Sequence, residues 1–182
     1  MVNSQMEALM EMRLAPYIQK ATALIRLKRK TLGGCSNMFR HQMDTLAILI
    51  DHKYVYDPVL LKASLIHDLF EELPNTDPQE INDLEDGEEV LKLVFEVTKP
   101  DNEEKNIFLK RILDSGSENS KLLKAADRIS NLTDTHTDSF PPDFAKRYVR
   151  ETEDYIIPGV KGTYLETELI DLCKRIRNIF GF

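Results

Sequence analysis

The stretch Ile66-His67-Asp68-Leu69-Phe70-Glu71-Glu72 puts four ionisable side chains behind an apolar approach, in a chain with histidines at positions 41, 52, 67 and 136. Burying such a group without partners is costly, and a bound cation would relieve the cost. Successive helix residues diverge by about 100°, so His67 and Asp68 can grip one ion only over the groove between them. Other helices must complete the shell. His41 in Arg40-His41-Gln42-Met43-Asp44 precedes this segment, and Asp127 in Lys124-Ala125-Ala126-Asp127-Arg128-Ile129-Ser130-Asn131 follows it. Two imidazoles and two carboxylates suit a divalent metal such as Mn²⁺, Fe²⁺ or Zn²⁺, with Mg²⁺ a further alternative, without choosing among them, and they leave positions open for water and substrate. Taken singly, His41 reads as a hydrogen-bonded or surface histidine and Asp127-Arg128 as a surface ion pair; the joint pattern is what points to a metal centre. His52 and His136 have no comparable surroundings and read as surface residues.

The elements that must carry these residues are helices. Prolines and glycines fall singly or in pairs between stretches of helical spacing, and no internal repeat or low-complexity tract occurs. The spacing predicts helices from the N-terminus to 30 and over 37–53, 58–72, 87–98, 102–113, 119–133, 142–157 and 163–180. Asp57-Pro58 reads as an N-cap with proline at the first helical position. Leu165, Leu169, Leu172, Ile176 and Ile179 form one apolar stripe. Tyr54-Val55-Tyr56 and Val94-Phe95-Glu96-Val97 have strand-like composition but lack partners, and are assigned to a loop and a helix end. The expectation is an all-α bundle, one domain over 1–182.

Composition sets the remaining bounds. At 182 residues, 42% hydrophobic and 30% charged, the chain is an ordinary globular one. No signal-peptide pattern opens it, and its longest aliphatic run, Leu46 to Ile50, falls far short of the about 20 residues that cross a bilayer. Cys35 and Cys173 are isolated, which suits a reducing cytoplasm. A net charge of −7 argues against nucleic acid as partner, while the cluster Arg26, Lys28, Arg29 and Lys30 would serve a small phosphorylated ligand. A homo-oligomer is left open.

His41, then His67-Asp68, then Asp127 follow the H…HD…D signature of HD-domain phosphohydrolases, metal-dependent enzymes built as helical bundles. More specifically, His67-Asp68-Leu69-Phe70-Glu71-Glu72 resembles the HDxxED segment of the (p)ppGpp hydrolase domain of RelA/SpoT proteins and of stand-alone small alarmone hydrolases. Val97-Thr98-Lys99 resembles their VTK stretch, and Leu123 to Leu132 their KLADRLxNL segment, in the same order. The resemblance covers about His41 to Ile157. RelA/SpoT proteins carry a synthetase domain after the hydrolase; this chain ends at Phe182 and is expected to resemble the stand-alone hydrolases.

The resemblance implies a guanosine-3′,5′-bis(diphosphate) 3′-pyrophosphohydrolase, with water activated on a metal held by His41, His67, Asp68 and Asp127. Glu71 and Glu72 lie one helical turn from the ligands and would orient and deprotonate the water or protonate the leaving oxygen. Lys28, Arg29, Lys30 and Arg40 would neutralise phosphate charge, with Arg128 as a further phosphate contact. Asn131, one turn beyond Asp127, would contact sugar or phosphate. Three residues depart from the family pattern: Glu72 replaces an aspartate, Gln42 replaces a proline after His41, and Ala126 replaces a leucine; the spacing from Arg29-Lys30 to His41 is also longer. The alternatives are an HD-type nucleotidase or phosphatase on another nucleotide, and a non-catalytic nucleotide- or metal-binding regulatory domain.

Overall fold

The computed structural model describes residues 13–29, 37–135 and 141–182. Lys30, Cys35 and His136, together with the start of the predicted N-terminal helix, lie outside the described residues. Among the described residues the secondary structure is helical apart from one antiparallel bridge between Lys28 and Asn37.

The helices are α1 (Ala15–Ala21), α2 (Met38–Asp51), α3 (Pro58–Ile66), α4 (Leu69–Glu72), α5 (Gln79–Asn82), α6 (Gly87–Val97), α7 (Lys105–Ser115), α8 (Glu118–Thr135), α9 (Pro142–Glu151) and α10 (Tyr164–Phe180). Local chemistry sets several of the ends. Asn37 caps α2 by accepting the Arg40 N–H at 2.9 Å, and Asp57 caps α3 by accepting the Leu60 N–H at 2.9 Å ahead of Pro58. Thr163 caps α10, whose far end closes on Gly181 in the left-handed conformation, φ 73°.

Two apolar clusters hold the bundle. One gathers Leu24, Leu49, Leu61, Leu65 and Val94 from the α1, α2, α3 and α6 side; the other gathers Phe108, Ile112, Val149, Leu169 and Ile176 from the α7, α9 and α10 side. Helix α8 belongs to both, giving Leu123 and Ala126 to the first and Ala125, Ile129 and Leu132 to the second. With apolar residues on two faces, α8 must lie between the layers, and its remaining polar stripe faces the seam where they meet.

Several predicted elements differ in detail. The helix predicted over 58–72 breaks after Ile66: His67 keeps helical angles, but Asp68 sits at φ −97°, ψ 1° before α4 begins. The apolar pattern runs straight through this break, so hydrophobic spacing does not reveal it. The predicted first helix ends at Ala21, followed by a 3₁₀ turn over Thr22–Arg26 and an extended Leu27. Helix α9 gives way to a π turn over Thr152–Ile156, and α5 is an additional short element. Ile179 is 54% exposed instead of completing the α10 stripe; Phe180 and Phe182 pack there in its stead. His52 is half-buried rather than a plain surface residue, its Nδ1 on the Ile48 carbonyl at 2.7 Å and its Nε2 paired with Glu168 at 2.7 Å, clasping α2 to α10. Tyr54 to Tyr56 form a loop and Val94 to Val97 end a helix, as expected.

Asp57 also accepts from Asn119 Nδ2 at 2.8 Å, joining the start of α3 to that of α8. Asp57→Ala should therefore destabilise the chain by about 1–2 kcal/mol in urea unfolding, the usual cost of an N-cap. A change within experimental error would show that Pro58 alone sets the helix start.

Candidate active site

The break between α3 and α4 brings the His67-Asp68 pair together. In an unbroken helix their side chains would diverge, but here His67 Nε2 stands 3.3 Å from Asp68 Oδ2. His41 from α2 meets the same oxygen at 3.5 Å, and Asp127 from α8 sets its Oδ1 at 3.1 Å from His41 Nε2 and 4.0 Å from His67 Nε2. Both imidazoles are 2% exposed. His41, His67 and Asp68 offer ligand atoms all within 4.8 Å of one another, the spacing that a shared cation would need.

The hydrogen bonds around the histidines fix what they can offer. His67 Nδ1 lies 2.8 Å from the Ser64 carbonyl, which only accepts, so Nδ1 carries the proton. Burial lowers the His67 pKa, the opposing pull of Asp68 and Asp127 notwithstanding, and keeps the ring neutral. Its Nε2 therefore presents a lone pair, is buried, and has no hydrogen-bond partner. A lone pair facing carboxylate oxygens is repulsive unless a cation lies between them. The donor set and this orphaned nitrogen thus fit a divalent metal. His41 is oriented from behind by Ser130, whose hydroxyl is 2.8 Å from its Nδ1.

Lysine 124, one turn before Asp127 on α8, answers part of the negative charge with Nζ 2.8 Å from Asp127 Oδ2. Burial opposes charge on both partners. The attraction of Asp127, with Asp68 and Glu71 behind it, outweighs burial and raises the lysine's pKa; Lys124, and after it the contact with His41, in turn hold Asp127 well below the usual carboxylate range. Glu71 reaches the rim of the site. Its Oε1 accepts the Lys99 backbone N–H at 2.8 Å, and burial of its carboxyl pushes its pKa up despite the pull of Lys124.

These groups open onto a hollow of about 540 Å³, lined also by Arg29, Glu72, Lys105, Arg128, Asn131, Phe144 and Tyr148. Asn131 donates to Asp127 and accepts from Arg29, tying that buried guanidinium to the acid cluster. Arg128 is buried over the Tyr148 ring, 3.8 Å from its centroid, and bonds the Tyr148 carbonyl and the Thr152 hydroxyl at the π turn. Lys105 pairs with Glu151 at 2.7 Å above the same ring.

Of the residues singled out in sequence, the structure brings His41, His67, Asp68, Asp127, Glu71, Glu72, Arg29, Arg128 and Asn131 to this region. Arg40 is not among them: it is exposed, pairs with Asp44 at 3.5 Å, and faces a different hollow, because it sits one residue and thus about 100° from His41 on α2. Lys28 is exposed at the bridge to Asn37 and does not line the hollow. Sequence reasoning passed over Lys124 and Ser130, each three residues from Asp127 and so on its face; that spacing was the available signal. Lys99, Lys105, Phe144 and Tyr148 come from helix ends and neighbouring helices, and only the packing reveals them.

An all-helical bundle that gathers a histidine, a broken-helix His-Asp pair and a distant aspartate at the floor of a cation-lined hollow defines an HD-type hydrolase domain. No family model matches the chain. Human guanosine-3′,5′-bis(diphosphate) 3′-pyrophosphohydrolase MESH1 is 30% identical over 135 residues, spanning 70% of this chain and 73% of its own length. A solved structure, described as a metazoan ortholog of SpoT that hydrolyses ppGpp and plays a role in starvation responses, shares the fold with a TM-score of 0.76 at 23% identity, covering 92% of this chain and 94% of that one. The chain belongs to the HD-domain family of guanosine-3′,5′-bis(diphosphate) 3′-pyrophosphohydrolases.

Asp127 has a folded-state pKa below its unfolded value, so its charge stabilises the fold above the unfolded value, and that contribution is lost as pH falls through the depressed one. Lys124→Met removes the closest compensating charge and lets burial raise Asp127, so the loss begins at higher pH. The acid-unfolding midpoint of metal-free protein, followed by circular dichroism, should shift upward; an unmoved midpoint would show that Lys124 does not sustain the Asp127 charge.

Proposed function

We propose that the chain is a divalent-metal-dependent hydrolase of guanosine tetra- and pentaphosphate, releasing pyrophosphate from the 3′ position and leaving GDP or GTP. One observation carries the reading: the neutral, unpartnered Nε2 of His67 faces two carboxylates at the floor of a hollow large enough for a nucleotide. Family membership supplies the substrate class.

His41, His67, Asp68 and Asp127 would hold the cation, with Mn²⁺ the first choice for this mixed donor set. Such an ion, when bound, lowers the pKa of a coordinated water towards neutrality and draws charge from phosphoryl oxygens. The chain's own residues do the rest. Glu71, fixed by the Lys99 N–H and raised in pKa by burial, takes the proton of the attacking water, and that proton passes by way of Glu72, on the same rim, to the ribose 3′ oxygen as its bond to phosphorus breaks. Arg29, Lys105 and Arg128 neutralise phosphate charge, and Asn131 reaches the sugar or a phosphate from its place beside Asp127.

The two apolar clusters that share α8 support treating 1–182 as a single hydrolase domain. A small nucleotide, rather than a nucleic acid or a membrane, suits this hollow as partner. Among the described residues no helix is long and apolar enough to cross a membrane. Cytoplasm is the compartment we assign, in keeping with the Cys173 thiol, which is buried and pushed up to about 12 by that burial.

Protein incubated with Mn²⁺ and ppGpp should release pyrophosphate and GDP in equal amounts. Glu71→Gln should lower kcat by about 10²- to 10⁴-fold while leaving Mn²⁺ binding in place. Turnover of another nucleotide without pyrophosphate release from ppGpp would transfer the chemistry to that substrate, and no turnover of any nucleotide would favour a regulatory domain.

A further inference from the structure

Gln42 follows His41 on α2 and is completely buried. Its Nε2 donates to Asp68 Oδ2 at 3.0 Å. That oxygen is the one standing 3.3 Å from His67 Nε2 and 3.5 Å from His41 Nε2. The other half of the amide is idle: Gln42 Oε1 is buried without a hydrogen-bond partner. The orientation is dictated by chemistry, since an ionised carboxylate only accepts and a reversed amide would set oxygen against oxygen.

A buried amide carbonyl left unpaired costs stability, and an apolar side chain of similar length would fill the space without that cost. What the apolar side chain would lack is the N–H on Asp68. Asp68 lies at the break between α3 and α4, where its carbonyl accepts the Glu72 N–H at 3.0 Å to open α4 while its carboxylate takes its hydrogen bond from the Gln42 amide. His67 is held by the Ser64 carbonyl, His41 by Ser130, and Asp127 by Lys124 and Asn131. Among the described residues Gln42 plays that part for Asp68.

We infer that Gln42 is a positioning residue that holds Asp68 Oδ2 on the two imidazole nitrogens and thereby sets the divalent-cation affinity of the centre. The inference rests on the proposed role of Asp68 as a ligand. Partners that orient metal ligands commonly contribute a factor of about 10–100 in metal affinity.

Calorimetric titration of the chelator-stripped full chain with Mn²⁺, alongside its thermal unfolding without metal, tests this. Gln42→Met should weaken Mn²⁺ binding about 10-fold or more, while the metal-free melting temperature holds or rises as the unpaired carbonyl disappears. Gln42→Asn keeps an amide in the core but draws it one methylene short of Asp68; it should lose affinity likewise and serves if the methionine variant does not fold. Either variant binding Mn²⁺ as tightly as the parent, with only its melting temperature lowered, would make Gln42 a packing residue and overturn the inference alone. A parent chain that binds no Mn²⁺ would overturn the proposed metal centre, and this inference with it.

Discussion

Two carboxylates and two imidazole nitrogens share one buried volume, and the rest of the molecule is organised around the electrostatic cost of that arrangement. Asp68 and Asp127 would repel each other and the lone pair of His67 if nothing positive lay between them. Lys124 meets one side of the cost through Asp127 Oδ2. The oxygens turned toward the histidines are left for a cation, and the supporting hydrogen bonds keep them turned that way. Ser64 and Ser130 hold the two imidazoles from behind, while Asn131 and Gln42 donate to Asp127 Oδ1 and Asp68 Oδ2, the oxygens that face the rings, so each of the four groups has a partner that fixes its direction.

Such a cluster needs a rigid seat, and α8 provides it. Its alanines and leucines are claimed by both apolar layers, which leaves it no freedom to rotate or slide without disrupting both cores. Asp127 therefore has a fixed position to which α2 and the α3–α4 break are brought. The break then performs a task that a regular helix cannot. With Asp68 near φ −97°, ψ 1°, two adjacent residues point at one spot. The same economy recurs at the π turn after α9, where the irregular backbone receives the Arg128 guanidinium at the Tyr148 carbonyl and the Thr152 hydroxyl.

The acidic and imidazole residues were legible in sequence because their chemistry is expensive unless shared, and because helical spacing assigned them to separate elements that only a bundle could unite. Helix starts at Asn37 and Asp57 were legible for a similarly local reason: a capping side chain acts within three residues. What stayed hidden depends on longer-range geometry. The break at residues 67 and 68 lies inside an uninterrupted apolar pattern, so periodicity passes over it. Arg40 looked suitable by adjacency to His41, yet a single helical step turns it to solvent, whereas Lys105 and Tyr148, distant in sequence, are carried into the hollow by α7 and α9. Gln42 showed in sequence only as a departure from a family pattern; its hydrogen bond to Asp68 exists only because α2 packs beside the break.

The charge inventory of the hollow leads one step further. Among the described residues, Arg29, Lys99, Lys105, Lys124 and Arg128 line it, facing Asp68, Glu71, Glu72 and Asp127, with Glu151 buried behind Lys105 and Arg128. With the His67 ring neutral, these cations and acids nearly cancel, so the hollow without a metal offers a polyphosphate little net attraction, although it displays many cations. A divalent ion at the floor tips that balance positive where the phosphates must approach. Metal and nucleotide affinities are then linked through the same carboxylates, each ligand raising the affinity for the other by the same factor. An acidic chain can in this way hold a highly charged anion without carrying a basic face, because the attraction is concentrated at one buried point and arises when the cation binds.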